Sequence, residues 1–199
     1  MRLNIYVCIV TCLFIISISC SKETEATSLL VLQSSSASLS QSAPKHFIGE
    51  HFGGGIIFYL DKSGNHGLIV TAADFEEPAS WSFKDTLNGA KDTAVGSGVV
   101  NTNRIVKTQG FPESEAFSYA ALECLELNQN GYQDWYLPSL NELNLMYQNK
   151  TIIGGFLSFS YWSSSESGAT KAWFKNFTNG LQIRQLKTAA YALRPVRRF

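Results

Sequence analysis

The chain has 199 residues, 45% of them hydrophobic, and 16 basic side chains balance 16 acidic ones. That balance argues against a nucleic-acid binder, which carries a basic excess. Five prolines and 15 glycines exclude collagen-like and proline-rich disordered chains. Aromatics reach 13% and point to sheets, sugar-facing surfaces, or both.

The N-terminus reads as an address. Arg2 supplies a positive charge, and residues 5–18 form a nearly continuous apolar run without charge. Such a run matches a secretory leader and is too short for a comfortable membrane-spanning helix. It ends at Ser17-Ile18-Ser19-Cys20. Small residues before a cysteine resemble the bacterial lipoprotein signal, in which the thiol is lipidated and the cysteine becomes the new N-terminus. Ser17 departs from the usual aliphatic residue there, and ordinary leader cleavage near the same place is the plainer alternative. The expected organisation is a signal peptide over 1–19, a lipidated Cys20 with a Ser-rich tether over 20–45, and one domain over 46–199. As a coil, the tether spans about 25–30 Å. Residues 29–32 (Leu-Leu-Val-Leu) are a candidate short strand within it.

Cysteine usage fits this reading. Cys8 and Cys12 leave with the leader and Cys20 is acylated, so Cys124 alone remains and no internal disulfide is expected. Cys124 lies in a helical context and reads as a small buried hydrophobe rather than a nucleophile.

Within the domain, residues 55–60 and 67–72 read as a hairpin around a turn at 61–65. Residues 76–111 read as irregular. Residues 113–128 show apolar side chains at helical spacing, and Asn130-Gly131 ends that helix. Residues 134–137 form a short extended piece. Ser139 and Glu142 then match a capping box for a second helix running to about residue 148. Strands follow at 161–164, 172–177, 181–187 and 191–197, with Asn179-Gly180 as a two-residue hairpin turn.

Several blocks carry a family likeness. They are Gly54-Gly55-Ile56-Ile57-Phe58-Tyr59, His66-Gly67-Leu68-Ile69, Gly131-Tyr132-Gln133-Asp134-Trp135-Tyr136-Leu137-Pro138-Ser139, Glu142-Leu143, Tyr161-Trp162-Ser163-Ser164-Ser165-Glu166 and Leu193-Arg194-Pro195-Val196-Arg197. Together they resemble the C-terminal domain of Legionella collagen-like proteins and the Fibrobacter succinogenes major domain, over about residues 48–199. The resemblance implies an α+β domain of C-type lectin-like fold, with two helices on antiparallel sheets and long irregular loops. It also implies extracellular placement and a binding role, polysaccharides such as glycosaminoglycans being a ligand class of the collagen-like adhesins. The chain lacks a collagen repeat. It has Trp81-Ser82 where many relatives place a cysteine soon after the tryptophan. The related formylglycine-generating enzymes use a reactive thiol pair, which one remaining cysteine cannot supply, so a non-enzyme is expected.

Gly53-Gly54-Gly55 precedes a strand with no Gly-Lys-Ser/Thr after it, and reads as a backbone turn. Gly96-Ser97-Gly98 lacks the third glycine of a dinucleotide site. His46, His51 and His66 show no paired metal spacing. Asp74, Glu76 and Glu77 cluster with Asp85 and could hold Ca²⁺ in a lectin-like loop, but without the alternating pattern of a calcium loop; no cofactor is the first expectation and Ca²⁺ the weakly supported second. Asn149-Lys150-Thr151 and Asn176-Phe177-Thr178 are glycosylation sequons that a bacterial lipoprotein would not normally use. Trp135 and Trp162 read first as core residues with bonded indole N–H groups, and second as stacking platforms for sugar.

A two-residue turn at Asn179-Gly180 pairs Lys175 with Arg184 and Trp173 with Leu186, and places Trp173, Lys175, Phe177 and Arg184 on one face. Like charges opposite each other in a sheet are tolerated when an anionic ligand lies between them or when both splay into water. The candidate ligand-binding set is therefore Trp173, Lys175, Phe177, Arg184, Tyr161, Trp162 and Trp135. Arg194 and Arg197 are expected to be structural, one pairing with an acid such as Glu142 or Glu166. The expected function is a lipid-anchored, non-enzymatic binding module of a bacterial cell envelope, at the outer membrane or cell surface, for a carbohydrate, an extracellular glycan, or another extracellular macromolecule. The rivals are an envelope assembly component with a protein partner and a formylglycine-generating-type enzyme.

Overall fold

The structure, a computed structural model, describes residues 45–75, 77–114, 117–157 and 159–199. The leader, Cys20 and the tether up to residue 44, with the candidate strand at 29–32, lie outside the described residues, as does Glu76 of the acidic cluster. The described residues fall within one compact unit, Ala43–Phe199.

Residues 56–58 and 68–70 are apolar without alternation, the pattern of strands covered on both faces. They form β2 (Gly55–Leu60) and β3 (Gly67–Val70), buried through nearly their whole length. The two pair antiparallel, with a register shift between Ile57 and Tyr59. Ile56, Phe58, Leu68 and Val70 face one cluster, which also holds Leu143, Met146 and Tyr161. Ile57 and Ile69 face another with Trp135. A short β1 (His51–Phe52) flanks β2. The other edge of this sheet is β9 (Val196–Arg198), which pairs antiparallel with β3 and so joins the end of the domain to its beginning.

The segment read as irregular contains β4 (Ala79–Ser80) and a full helix, α1 (Gly98–Gln109). The buried face of α1 is Asn101, Thr102, Ile105, Val106 and Gln109. Three of those five are polar, so the apolar periodicity that marks an amphipathic helix is hidden in the sequence. Their amide donors have partners: the Asn101 side-chain amide donates to the Asp92 carbonyl at 2.6 Å, and Gln109 donates to the Asn88 side chain at 2.9 Å. The next helix is shorter than its spacing suggests. α2 covers Ala120–Glu126 and starts after an extended Tyr119, not at residue 113. Cys124 packs in it, fully buried and with a free thiol.

Asn130 and Gly131 both take positive φ, 54° and 83°. Gln129 and Tyr132 exchange backbone hydrogen bonds across them at 3.0 Å. This is the two-residue turn that Asn-Gly favours.

α3 (Leu140–Gln148) opens with the capping box expected at Ser139 and Glu142. Glu142 is fully buried and also accepts from the Gly96 N–H at 2.7 Å and the Tyr136 hydroxyl at 3.2 Å. A Cβ on Gly98 would sit 2.3 Å from the Glu142 carboxylate and 2.6 Å from the Tyr136 ring, so that position holds only glycine without rearrangement. A short α4 (Lys150–Ile153) follows.

The third sheet is β5 (Ser160–Glu166), β6 (Lys171–Asn176) and β7 (Gln182–Leu186), in that order and antiparallel. β8 (Ala190–Tyr191) pairs with β4. The strand read over 191–197 is therefore two short pieces, β8 and β9, with Arg194 between them. Among the described residues the α+β class holds, with nine strands and four helices where two helices were expected.

Arg194 is the buried cation between those pieces. Its five donors reach the carbonyls of Thr71, Ala72, Gly154 and Gly155 and the Asp74 carboxylate, at 2.8–3.1 Å. Arg197 forks onto both oxygens of Asp134 at 2.7 and 3.0 Å. The acids expected for these arginines are used elsewhere: Glu142 caps α3, and Glu166 pairs with Lys187 at 2.9 Å. The acid that follows the first hairpin proved the nearer partner for Arg194, because its planar fork also needs the carbonyls of that turn.

Arg194→Met removes one partner of a buried pair and orphans four carbonyls, and should cost about 3–5 kcal/mol in denaturant unfolding. Burial holds the Glu142 carboxyl above the usual glutamate range despite its donors. Its ionisation on folding is therefore unfavourable, so its contribution is best at low pH and declines as pH rises through the folded value. Glu142→Gln keeps a capping-box side chain; its melting temperature relative to the parent should improve as pH rises from 4 to 8.

Candidate functional site

Three of the four tryptophans are committed to the interior. Trp81 donates its indole N–H to the Ser163 carbonyl at 2.7 Å, Trp162 to Ala79 at 3.0 Å, and Trp135 to Tyr132 at 3.1 Å. All three rings are buried. Of the two readings offered for Trp135 and Trp162, the core reading is the one their geometry fits, and neither ring presents a face to a ligand. Tyr161 is likewise buried, its hydroxyl donating to Asp74 beside Arg194. Phe177 packs between Tyr161, Phe156 and Tyr147, with centroids 4.5–5.5 Å apart.

The hairpin register differs from the expected one. Lys175 pairs with Gln182, and Trp173 pairs with Arg184. The connection is wider because side chains occupy its backbone groups. The Asn176 side-chain oxygen accepts from the N–H groups of Thr178 and Asn179, at 2.8 and 3.1 Å. Asn176 then closes the loop by donating its backbone N–H to the Leu181 carbonyl at 2.8 Å. Asn-Gly here sits inside a four-residue loop, and the like charges of Lys175 and Arg184 are not opposite each other.

Alternation still puts Trp173 and Lys175 on one face of β6 with Arg184 across from the indole. Their environments diverge. Lys175 is buried, its ammonium 4.6 Å from the Tyr147 ring centroid and donating to the Gly180 carbonyl at 2.9 Å. Burial lowers its pKa below the usual lysine range. Lys150 approaches the same ring at 4.5 Å and donates to the Phe177 carbonyl. These two lysines hold the 177–180 loop against α3. Trp173 is half-buried, and the exposed Arg184 guanidinium lies 5.5 Å from its ring centroid. Exposed Lys171 and Leu186, themselves paired, extend this surface. Of the seven candidate residues, the structure brings Trp173 and Arg184 together at an accessible surface, while Trp135, Tyr161, Trp162, Lys175 and Phe177 are covered.

Within the acidic cluster, Asp74 is engaged by the fold itself. Asp74 gives one oxygen to Arg194 and the other to Tyr161 and the Leu157 N–H. Among the described residues no group of three His, Cys, Asp or Glu side chains is placed to hold a metal. Burial pushes the Cys124 thiol well above its ordinary range, which disfavours the nucleophilic thiolate.

Sequence reasoning missed a cleft at the β5–β6 turn, lined by Glu166, Ser167 and Gly168 with Leu87, Gly89 and Lys91. The only signal for it was Glu166, which the sequence offered instead as a partner for Arg194 or Arg197.

The model of the Lcl C-terminal domain matches residues 76–197, which takes in α1, the capping box, the third sheet and the arginine-bearing end. The chain belongs to the Lcl C-terminal domain family. The match starts after the first hairpin, although β3–β9 pairing ties that hairpin to the matched region. Membership points to a surface-associated domain. No curated protein matches the chain.

Because the ammonium of Lys175 is disfavoured by burial, the unfolded chain binds a proton there more readily than the folded one. Stability from this position is thus reduced below the folded pKa and recovered as pH rises toward the ordinary lysine value. Relative to the parent, the melting temperature of Lys175→Met should fall as pH is raised from 7 toward 10, in parallel thermal scans.

Proposed function

We propose that the chain is a lipid-anchored, non-enzymatic binding module of a bacterial cell envelope, held through Cys20 at the outer membrane or cell surface, and that its ligand is an extracellular carbohydrate. The observation that carries this reading is the Trp173–Arg184 pair. Three indoles are spent on the core, and the fourth lies half-open on a sheet face with a guanidinium 5.5 Å from its ring. An indole offers an apolar plane for the C–H face of a sugar ring. Arginine beside it supplies forked donors for hydroxyl or acidic groups. Family membership supports surface placement, and the leader pattern supports export. The joining of the N-terminal hairpin to the C-terminal strand, beside a second antiparallel sheet, supports a C-type lectin-like fold. The buried thiol of Cys124 and the engaged carboxylates of Asp74, Glu142 and Glu166 support binding rather than turnover.

A second reading, a protein partner in the envelope, draws on a different surface. Phe111 and Phe117 are each 69% exposed on the segment between α1 and α2, and Phe83 is 42% exposed. Exposed apolar patches of this kind mark protein contacts.

The readings separate by substitution. Trp173→Ala with Arg184→Ala should weaken binding to the best glycan on an array by about tenfold or more, equivalent to about 1.4 kcal/mol. The melting temperature should change little, since neither side chain is core. Unchanged glycan affinity would remove this surface from the reading. Loss of an envelope-extract partner on Phe111→Ser with Phe117→Ser would favour the protein alternative.

A further inference from the structure

Three side chains of different chemistry converge beside Trp81: the amine of Lys187, the carboxylate of Glu166 and the amide of Asn88. Lys187 is fully buried, and Glu166 and Asn88 are each 6% exposed. The Lys187 ammonium donates to the Thr86 carbonyl at 2.8 Å and to Glu166 Oε2 at 2.9 Å. The Asn88 side-chain nitrogen donates to the same two oxygens, at 2.9 and 3.2 Å. Two nitrogens that share two acceptors are close neighbours, so the amine stands beside the amide. Backbone bonds hold Lys187 in place: its N–H donates to the Thr170 carbonyl at 2.9 Å, and its carbonyl accepts from the Trp81 N–H at 2.8 Å. The Trp81 ring covers the ammonium, 4.5 Å from the ring centroid.

Two further contacts favour reaction at this amide. Gln109, fully buried, donates from Nε2 to Asn88 Oδ1 at 2.9 Å. That oxygen is where negative charge develops when a nucleophile adds to the amide carbon, and a fixed donor in a water-excluded site stabilises it. Asn88 is followed by Gly89, whose backbone nitrogen is the ordinary nucleophile of an Asn-Gly pair. Here that N–H is spent on Glu166 Oε1 at 2.8 Å, which leaves the Lys187 amine as the nucleophile at hand.

We infer that Lys187 and Asn88 react after folding to form an isopeptide bond, with Glu166 relaying the protons. Glu166 takes one proton from the ammonium, and the neutral Nζ adds to Asn88 Cγ. The new C–N bond forms as the bond from Cγ to Nδ2 breaks. Glu166 carries protons from the attacking nitrogen to the leaving one and ends ionised, as it began. Of the three ammonium hydrogens, one stays on the new amide and two depart with Nδ2 as ammonium. One amide is exchanged for another, so no oxidant and no further reactant is consumed. Burial by itself would raise the Glu166 carboxyl, but the Asn88 and Lys187 donors outweigh it and hold it below the usual glutamate range. The neutral amine is therefore scarce, and the bond forms slowly and once. It closes a loop of about a hundred residues, a tie of the kind a disulfide makes in other exported domains. The free cysteine among the described residues, Cys124, makes no such tie. The cross-link involves neither Trp173 nor Arg184 and is independent of the ligand.

The test is a tryptic peptide map of the denatured full chain, taken after the folded protein has stood at neutral pH for several days. Tandem mass spectrometry should find the Asn88 and Lys187 peptides joined, short of one ammonia, with no cleavage after Lys187. Glu166→Gln, with circular dichroism matching the parent's, should leave Lys187 open to trypsin. Glu166→Gln with Lys187→Met removes both charges together, so loss of the cross-link dominates its effect: the parent should melt about 10 °C or more above it. Separate Asn88 and Lys187 peptides in full yield from the parent would overturn the inference. So would conversion of Asn88 to aspartate with Lys187 unattached. A bond that still forms in Glu166→Gln would overturn the proton relay.

Discussion

Ser163-Ser164-Ser165 is the junction on which this domain depends. Between Trp162 and Glu166, β5 leaves its regular pairing with β6. The three serines, all buried, turn their polar groups to other elements. Ser163 donates its hydroxyl to the Trp173 carbonyl at 2.7 Å and gives its own carbonyl to Trp81. Ser164 donates its N–H to the Pro138 carbonyl at 2.8 Å. Ser165 accepts from the Leu140 N–H, at the start of α3, and donates to the Asp92 carbonyl. One disrupted strand thus holds a sheet, a helix N-terminus and the 88–92 loop in register. Small hydroxyl side chains suit this role because they satisfy backbone groups in little space. An alanine would leave those groups unpaired, and a larger residue would push the elements apart.

The same logic recurs wherever charge is buried. Arg194, Lys187 and Glu142 are each fully buried, and each joins segments distant in sequence. Arg194 binds the turn after the first hairpin to the glycine pair after α4. Lys187 fastens the end of β7 to Glu166 and to the Thr86 carbonyl. Irregular loops make up much of this domain and bury backbone groups that no ladder can serve. Long cationic side chains and carboxylates take over that work. Polar residues in such a domain are therefore weak markers of function, and the accessible Trp173–Arg184 pair stands out because neither member is needed to satisfy a buried partner.

How legible this was in the sequence follows from how local each feature is. The capping box of Ser139 and Glu142, the first hairpin and the bonded indoles of Trp135 and Trp162 depend on near neighbours or on residue type, and reading them needed no tertiary information. α1 escaped because its hidden face mixes Asn101, Thr102 and Gln109 with Ile105 and Val106, which only a polar interior can reward. Two Asn-Gly pairs carry the same turn signal. Asn130-Gly131 makes the tight turn, while at Asn179-Gly180 the Asn176, Lys150 and Lys175 side chains claim the loop's backbone groups and widen it. That competition moved the register by two residues and separated Lys175 from Arg184. Of the candidate ligand surface, the shared face survived and the membership did not, since burial of each side chain by distant elements is a tertiary fact. The cleft at Ser167 had no sequence signal beyond one acidic residue.

The edge position of β9 carries a consequence for how the protein is made. Val70 pairs with Val196, and the first cluster closes over both. A polypeptide emerging from its N-terminus can form the first hairpin early but lacks the segment that seals it until residues 190–198 have appeared. Contacts of such long sequence separation are slow to close. Completion of this sheet, and of the cluster that Val196 closes, is thus deferred until residues 196–198 have been made.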